Sequence, residues 1–388
     1  MTRPLRLLQA TTFVSTMDRF AMPPMLIVTA RSLGVPLSAV VQTASVYFLA
    51  YGLMQPIWGI VSDRLGRVRT LRITLAAAGL AAAGSAAVTT VTQLGVARAL
   101  AGAAFSAAIP ASLIYVGDTV SRERRQTEVT NLMIGVALGT ALASAGAGLL
   151  AVAVSWRAAF AVSAGCALTL SVLLRRLPTP AVDRAAGNPF GHLVRSPAAL
   201  LVLLLAFVEG GVLLGALTLL PPAVESTGVS AALAGAVTAV YGLAVLVFAP
   251  FVGVLSRRWP AWRLIACGAT AAVAGCALAT LSQRAPVAAG VATLIGLAWA
   301  AMHSSLQTWA TEVLPAARAA AVSGFAGCLF AGSALSSWLL AGPASAGHYS
   351  AGFAGLMLAA APLGVAATVS RARLHTPVVK IGGRDDQA

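Results

Sequence analysis

Charged residues are scarce in this chain. Only 10% of its 388 residues are Asp, Glu, Lys or Arg, and just 11 residues are acidic. A soluble globular domain has about 25% charged residues, since its surface must stay hydrated. The shortage excludes an ordinary water-soluble protein of this length and indicates that the chain lies in a lipid bilayer.

Several kinds of chemical site are also missing. The four cysteines form no CxxC pair and no Cys/His spacing typical of a metal site. The sequence has no HExxH pattern, no phosphate-binding P-loop and no recognisable pairing of a nucleophile with a base. We therefore expect no enzyme activity, no cofactor and no metal. Without an ATP site, any pumping must draw on an ion gradient.

Long apolar runs are abundant. Hydrophobic residues make up 59% of the chain, and its mean hydropathy is +0.87. A helix needs about 20 apolar residues to cross the hydrocarbon core. The runs predict an all-α membrane protein with twelve transmembrane helices, near residues 5–30, 39–61, 70–91, 93–117, 127–151, 157–176, 197–220, 231–255, 262–281, 285–310, 319–342 and 349–370.

Basic residues are distributed unevenly between the loops. Of the 26 Lys and Arg residues, 21 fall in the tails and loops of one side, three fall on the other side and two fall inside spans. Cytoplasmic loops carry such an excess of positive charge. The pattern predicts a multi-pass protein of a bacterial cytoplasmic (inner) membrane with both termini in the cytoplasm. The net charge of +15 therefore reports orientation, and we expect no nucleic-acid partner.

The chain reads as two related halves. A shift of 194 residues places Pro56 on Pro250 and Gly59 on Gly253, so the halves read as parallel repeats with a binding site at their interface. We predict an N-terminal six-helix bundle over 1–176, a cytoplasmic linker over 177–196, a C-terminal six-helix bundle over 197–370 and a cytoplasmic tail over 371–388.

One loop carries a specific motif. Between the second and third predicted helices, the spacing resembles the GxLaDrxGrk signature of the major facilitator superfamily, with Gly59, Asp63, Arg64, Gly66 and Arg67 at the matching positions. The resemblance implies the two-bundle major facilitator fold. It also implies a contact between the halves, with Asp63 against the start of helix eleven and the arginines against Asp118 at the end of helix four.

Two further motifs resemble the same superfamily. Arg98 and Gly102 match its lxxxRxxqG pattern in helix four, and Trp156, Arg157 and Phe160 resemble the WRxxF element of its twelve-helix drug/proton antiporter branch. Helix five departs from that branch, because residues 135–144 lack the proline and the terminal glycine pair of the gxxxGPxxGG motif.

Polar side chains inside the spans are the candidate substrate or proton sites. A charge at the bilayer centre costs about 3 kcal/mol or more unless it is paired or faces water. The resemblance implies that helices one, four, seven and ten line the central cavity. The candidates on these four helices are Asp18, Arg19, Arg98, Glu209, His303 and Gln307.

The positions of these candidates on their helices indicate which of them could interact. Successive helical residues point about 100° apart, so we expect either Asp18 or Arg19 to belong to a side-chain network. Glu209 has no basic residue on its own predicted helix, which makes Arg98 a candidate partner. Gly210 and Gly211 are expected to leave space and mobility beside it. Structural alternatives remain: Asp18 could simply neutralise an arginine, and His303 could be a packing residue.

Prolines predict where two helices bend or end. Pro23 and Pro24 lie inside the first predicted helix, and proline removes a hydrogen bond from the helical ladder. We therefore predict a break there. Pro221 and Pro222 follow the seventh predicted helix, and we predict that the helix ends before them.

These features predict a monomeric exporter that exchanges a small organic or drug-like solute for protons by alternating access. Asp18 and Glu209 are the preferred carboxylates. Helix five keeps open an uptake symporter or facilitator of a small metabolite. A transport-inactive receptor on the same fold is a further alternative.

Overall fold

The first half of the chain folds into a series of long helices. The computed structural model describes residues 3–179 and 189–373. The first half contains α1 (Arg3–Ala21), α2 (Leu26–Leu33), α3 (Leu37–Leu65), α4 (Arg67–Ala87), α5 (Val91–Phe105), α6 (Ala108–Thr119), α7 (Arg122–Ala153) and α8 (Trp156–Leu173).

The second half follows the same plan. A short helix, α9, precedes six long helical segments. The helices are α9 (Pro189–Val194), α10 (Pro197–Glu225), α11 (Ala231–Leu255), α12 (Ala261–Leu281), α13 (Ala285–Ala298), α14 (Ser304–Glu312), α15 (Arg318–Ser345) and α16 (Tyr349–Arg373). Residues 180–188 of the predicted linker and 374–388 of the predicted tail lie outside the described residues.

Eleven helical segments are long and apolar enough to cross a membrane within the described residues. Their ends agree with eleven of the predicted spans to within several residues. The remaining segment, α1 with α2, is interrupted, and α1 carries Arg6, Asp18 and Arg19. It completes the twelve helical segments of the predicted all-α membrane fold.

Prolines have different effects in the two halves. The prediction for the first pair is confirmed, because α1 stops at Ala21 and a 3-10 turn over Pro23–Met25 separates it from α2. The prediction for the second pair is wrong, since α10 runs through Pro221 and Pro222 to Glu225. Neighbouring helices bury that part of α10 completely, and membrane helices tolerate proline where packing satisfies the freed groups.

Two breaks in the cavity helices are absent from the predicted spans. The fourth span is divided at Ser106 and Ala107, between α5 and α6. The tenth is divided by a π-helical turn over Trp299–His303, between α13 and α14. Neither break coincides with a proline or glycine, which explains why the apolar pattern did not indicate it.

The two halves meet along α3 with α15 and along α7 with α11. Small residues bring these backbones together: a Cβ added to Gly52 would lie 2.8 Å from the carbonyl oxygen of Gly327, and one added to Gly148 would meet Ala231. Close packing at small residues is the usual means of helix association in lipid. Ser45 adds a hydrogen bond of 2.6 Å to the carbonyl of Ala334.

Candidate functional site

A buried ion pair joins α1 to α5. The guanidinium of Arg98 donates to both carboxylate oxygens of Asp18, at 3.1 Å and 2.6 Å, and both side chains are almost inaccessible to solvent. A two-pronged arginine–carboxylate contact is among the strongest polar interactions in proteins. Asp18 is therefore the member of the Asp18–Arg19 pair that belongs to a side-chain network, as expected.

Aromatic rings hold this ion pair in place. The Arg98 guanidinium lies over Tyr47 at 4.5 Å and over Phe160 at 4.7 Å. Gly102, one turn further along α5, allows this approach, because a Cβ there would lie 2.5 Å from the carbonyl oxygen of Tyr47. Phe160 of the WRxxF element thus contacts the arginine of the helix-four motif, a relation that neither motif predicts alone.

The candidate pairing of Arg98 with Glu209 does not occur. The geometry commits Arg98 to Asp18, which lies 80 residues away on α1. Instead, the Oε2 atom of Glu209 lies 3.3 Å from Nδ1 of His303. The two acidic candidates therefore belong to separate pairs, one in each half of the chain.

The Glu209–His303 pair lies deep inside the second half. Glu209 has no exposed surface, and His303 is nearly buried. The other carboxylate oxygen of Glu209, Oε1, is also buried and has no hydrogen-bond partner among the described residues. Glu209 stands twelve residues into α10, about 18 Å from its first residue and thus near mid-membrane. A carboxylate and an imidazole in contact at this depth can hold and exchange a proton.

An irregular turn presents His303 to Glu209. The π-helical turn over Trp299–His303 widens the helix by one residue, and the amide of Ser304 donates to the Trp299 carbonyl. Such turns occur frequently at functional sites. The His303 ring stacks on Trp299, with centroids 3.9 Å apart, and contacts Phe325 at 5.7 Å.

Gln307 lies apart from this pair. The residue is exposed on α14, whereas His303 is buried, so the two do not form one polar patch. The structure thus brings Glu209 and His303 together and leaves Gln307 outside.

The space expected beside Glu209 is absent. A Cβ on Gly210 would lie only 1.8 Å from the carbonyl oxygen of Leu329, and one on Gly332 would lie 1.7 Å from that of Phe207. The glycines are needed because α10 and α15 touch backbone to backbone. The close contact restrains Glu209 and gives it no added freedom.

Arg19 belongs to neither of these two pairs and lies among aromatic rings. Its guanidinium carbon is 5.1 Å from the Phe20 ring centroid and 5.2 Å from those of Tyr51 and Phe330. The side chain is 7% exposed and makes no hydrogen bond or ion pair with a described residue. Attraction to ring faces stabilises such a cation only in part.

The loop motif forms a small charge cluster at the other end of α3. Arg67 binds Asp63, donates to Ser62 Oγ at 3.1 Å and reaches Asp118 Oδ2 at 3.4 Å. The expected arginine contact with Asp118 is thus present, within the first half. Arg64 is exposed. The carboxylate of Asp63 contacts Arg67, and no polar contact between Asp63 and the start of α15 occurs in the part of the chain that the structure describes.

The structure requires a glycine at one of the two glycine positions of the motif and not at the other. Gly66 has a φ of 85°, in the left-handed region that side chains avoid, and it joins α3 to α4. Gly59 has nothing within 4 Å of an added Cβ, so close packing does not require a glycine there.

No group of three or more His, Cys, Asp or Glu side chains suited to a metal ion occurs in residues 3–179 and 189–373.

Within the described residues, twelve helical segments in two contacting halves, with buried charged side chains, define a polytopic α-helical membrane protein. The family model described as Major Facilitator Superfamily matches residues 10–337. The chain therefore belongs to this superfamily and is a transporter of small molecules. No curated protein matches the sequence.

Solved transporters share the fold over nearly the whole chain. The nucleoside transporter NupG has a TM-score of 0.78 at 14% identity, with 96% of this chain and 100% of that chain covered. A peptide transporter, POT, in complex with sulfate gives 0.78 at 17% identity, with 96% and 95% covered. The D-xylose-proton symporter gives 0.76 at 17% identity, with 95% and 96% covered. At these identities the likeness establishes the fold alone.

Proposed function

We propose that the chain is a proton-coupled exporter that exchanges a small organic solute for protons by alternating access. The observation that carries this proposal is the Glu209–His303 pair, buried near mid-membrane. A proton that binds to this pair changes the contact between Glu209 and His303. Protonation therefore changes how α10 is held to α13 and α14. A gradient of protons can then drive the change of shape.

The packing of the halves supports alternating access. The close contacts between α7 and α11 involve Gly148 and Gly235, toward the side that the charge pattern predicts to be external. The same half of α10, from Val212 to Val224, is buried throughout, whereas Leu200 and Leu204 near its other end are exposed. In this proposal, the close packing on that side corresponds to a state closed to the outside.

The two ion-pair sites have different roles in this proposal. Asp18 is saturated by the two-pronged contact with Arg98, which favours a fixed structural pair. Glu209 keeps one oxygen without a partner, which favours proton exchange there. The cluster of Asp63, Arg67 and Asp118 ties α3, α4 and α6 together, so in this proposal it keeps one end of the first half rigid as the halves move.

Uptake by proton symport is the second candidate. It is favoured by residues 135–144 of α7, which lack the proline and glycine pair of the drug/proton exchangers. The similarity in fold to a D-xylose-proton symporter is compatible with it. The small residues of α7 nevertheless pack closely on both sides, with Gly139 against Phe13 and Ser144 against Gly235.

Proton movement in reconstituted vesicles tests the proposal. Purified protein is inserted with known orientation, a pH-sensitive dye is enclosed, and antimicrobials, small acidic metabolites and sugars are added in turn. Protons that move against the solute support exchange, and protons that move with it support symport. Solute movement without any proton movement would overturn the coupling, and binding of a solute without movement would indicate a receptor.

A further inference from the structure

Arg19 lies where the two halves meet and has no anionic partner among the residues that the structure describes. Tyr51 of α3 and Phe330 of α15 both lie 5.2 Å from its guanidinium carbon. Phe20, the next residue, contacts Tyr241 of α11 at a centroid distance of 6.2 Å. Substrate sites of transporters with two repeated halves lie at this interface, near mid-membrane.

The buried charges around Arg19 do not balance it. Asp18 is matched by Arg98, and Glu209 is in contact with His303, so neither carboxylate is paired with Arg19. A buried charge is costly unless another group compensates it, and aromatic faces compensate an arginine only partly. One positive charge in the centre of the protein therefore lacks an anion.

The surroundings of Arg19 offer further unused hydrogen-bonding groups. Arg19 lines a small cavity of about 10 Å³ together with Arg98, Tyr47 and Phe48. The hydroxyl groups of Tyr47 and Tyr51 are buried and have no hydrogen-bond partner among the described residues. A guanidinium is a set of donors, and the anions that best match it present several acceptor oxygens.

We propose that Arg19 binds the negatively charged group of the transported solute, which makes the substrate a small organic anion with an aromatic or apolar body. This inference rests on the proposed transport function and names its substrate class. The planar guanidinium suits a carboxylate, sulfonate or phosphate in a two-pronged contact. The rings of Phe20, Tyr51 and Phe330 suit a flat or apolar remainder.

A binding experiment without any gradient separates this inference from proton coupling. The thermal stability of the purified full chain in detergent is measured with benzoate against benzamide, and with hexanoate against hexanamide. Each pair has nearly the same shape and differs in charge. Benzylammonium serves as the matching cation. We expect the anions to raise the melting temperature more than the amides, and benzylammonium to have no effect.

Substitutions assign the anion site. Arg19→Gln is expected to weaken benzoate binding by about tenfold or more, because a charge-assisted contact is lost. Arg19→Lys should have an intermediate effect, since an ammonium keeps the charge but not the two-pronged geometry. The matched control is Arg263→Gln, which removes an exposed arginine that also lies over a ring, Trp262, and should leave binding unchanged.

Folding does not obscure the result, because removal of an uncompensated buried charge should not lower the melting temperature of the unliganded protein. Anions that stabilise the chain no more than their amides, or anion binding that survives Arg19→Gln, would overturn the proposal. If Arg19→Gln changes only the pH dependence of stability, Arg19 is a distant counter-ion of Glu209. Arg19-dependent anion binding without proton coupling would leave this inference standing and overturn the exchange mechanism alone.

Discussion

Arg98 and Asp18 form a two-pronged ion pair between α5 and α1, with both side chains sealed from solvent. The pair holds these two helices together. A second link is the hydroxyl of Ser15 on α1, which donates to the carbonyl of Phe105 on α5 at 3.1 Å. That hydrogen bond satisfies a carbonyl at the break between α5 and α6. The ion pair and the helix break therefore form one structural unit of the first half.

Loss of one member of this pair should destabilise the fold. We expect Arg98→Gln to lower the free energy of unfolding by about 3–5 kcal/mol, because it leaves the Asp18 carboxylate buried without its partner. Unfolding in mixed detergent micelles measures the effect. The double variant Arg98→Gln with Asp18→Asn should lose less than the sum of the two single variants. Equal stability of the single variant and the native chain would contradict a structural pair.

Backbone contact between α10 and α15 gives a second prediction. Gly210→Ala should prevent native packing or lower stability by at least about 1–3 kcal/mol, because its Cβ would overlap the Leu329 carbonyl, which cannot rotate away. The fraction of monodisperse protein after purification and its melting temperature measure this.

The matched control for Gly210 is Gly290→Ala, in the interior of α13. An added Cβ there has no neighbour within 4 Å, so the substitution should be neutral or slightly stabilising. Similar behaviour of the two alanine variants would show that α10 and α15 lie further apart than described.

The fold was largely predictable because a bilayer imposes strong rules on sequence. Apolar runs of about 20 residues indicate the helices, and an uneven distribution of basic residues predicts their orientation. The family was suggested separately, by the resemblance of short motifs such as the one around Asp63. The candidate residues were also predictable individually, since a charge inside a span is costly and therefore rare. The limits of the two bundles and the cytoplasmic termini remain predictions.

The pairing of those residues was not predictable from one sequence. Asp18 and Arg98 meet because α1 packs against α6, which continues α5. Glu209 meets His303 at a π-helical turn. Such a turn inserts one residue without a distinctive composition. Gly210 illustrates the same limit, because a glycine can equally leave space or permit contact until its neighbour is known.

The charge cluster at the end of α3 gives a prediction about cycling. Asp63→Asn should slow transport strongly, because it breaks the charge cluster that joins α3 to α4. The variant should stay folded, because the Asp63 side chain is 44% exposed and an exposed ion pair contributes about 1 kcal/mol or less to stability. Transport rates in vesicles and the melting temperature are compared. Full transport by a correctly inserted variant would remove the proposed role, and loss of folding would make the cluster structural.

Membrane orientation can be tested with single cysteines in a cysteine-free background. Asn188→Cys, in the predicted linker, should react with a membrane-impermeant maleimide only from the cytoplasmic side. Thr227→Cys, in the exposed connection between α10 and α11, should react only from the outside. The opposite result at both positions would invert the topology.

The Glu209–His303 contact gives the prediction that most directly concerns energy coupling. Glu209→Gln should abolish accumulation driven by a proton gradient, because the amide cannot bind and release a proton. Exchange of solute across the membrane at equal pH should continue, since no proton transfer is required for it. Accumulation and exchange are measured in the same vesicles, with solute-driven proton movement as a third signal.

Glu312→Gln is the matched control for Glu209, since Glu312 is half exposed and pairs with Arg371 at the end of α14. It removes one acidic group from the same half of the chain without touching the buried pair, and coupling should persist. His303→Gln should reduce coupling less than Glu209→Gln, because the carboxylate can still bind a proton. If Glu209→Gln weakens the transport of cationic solutes only, Glu209 contacts the substrate. That result would also contradict the proposal that Arg19 binds an anionic substrate. Unchanged rate, selectivity and pH dependence would exclude Glu209 from both roles and move the proton site to Asp18.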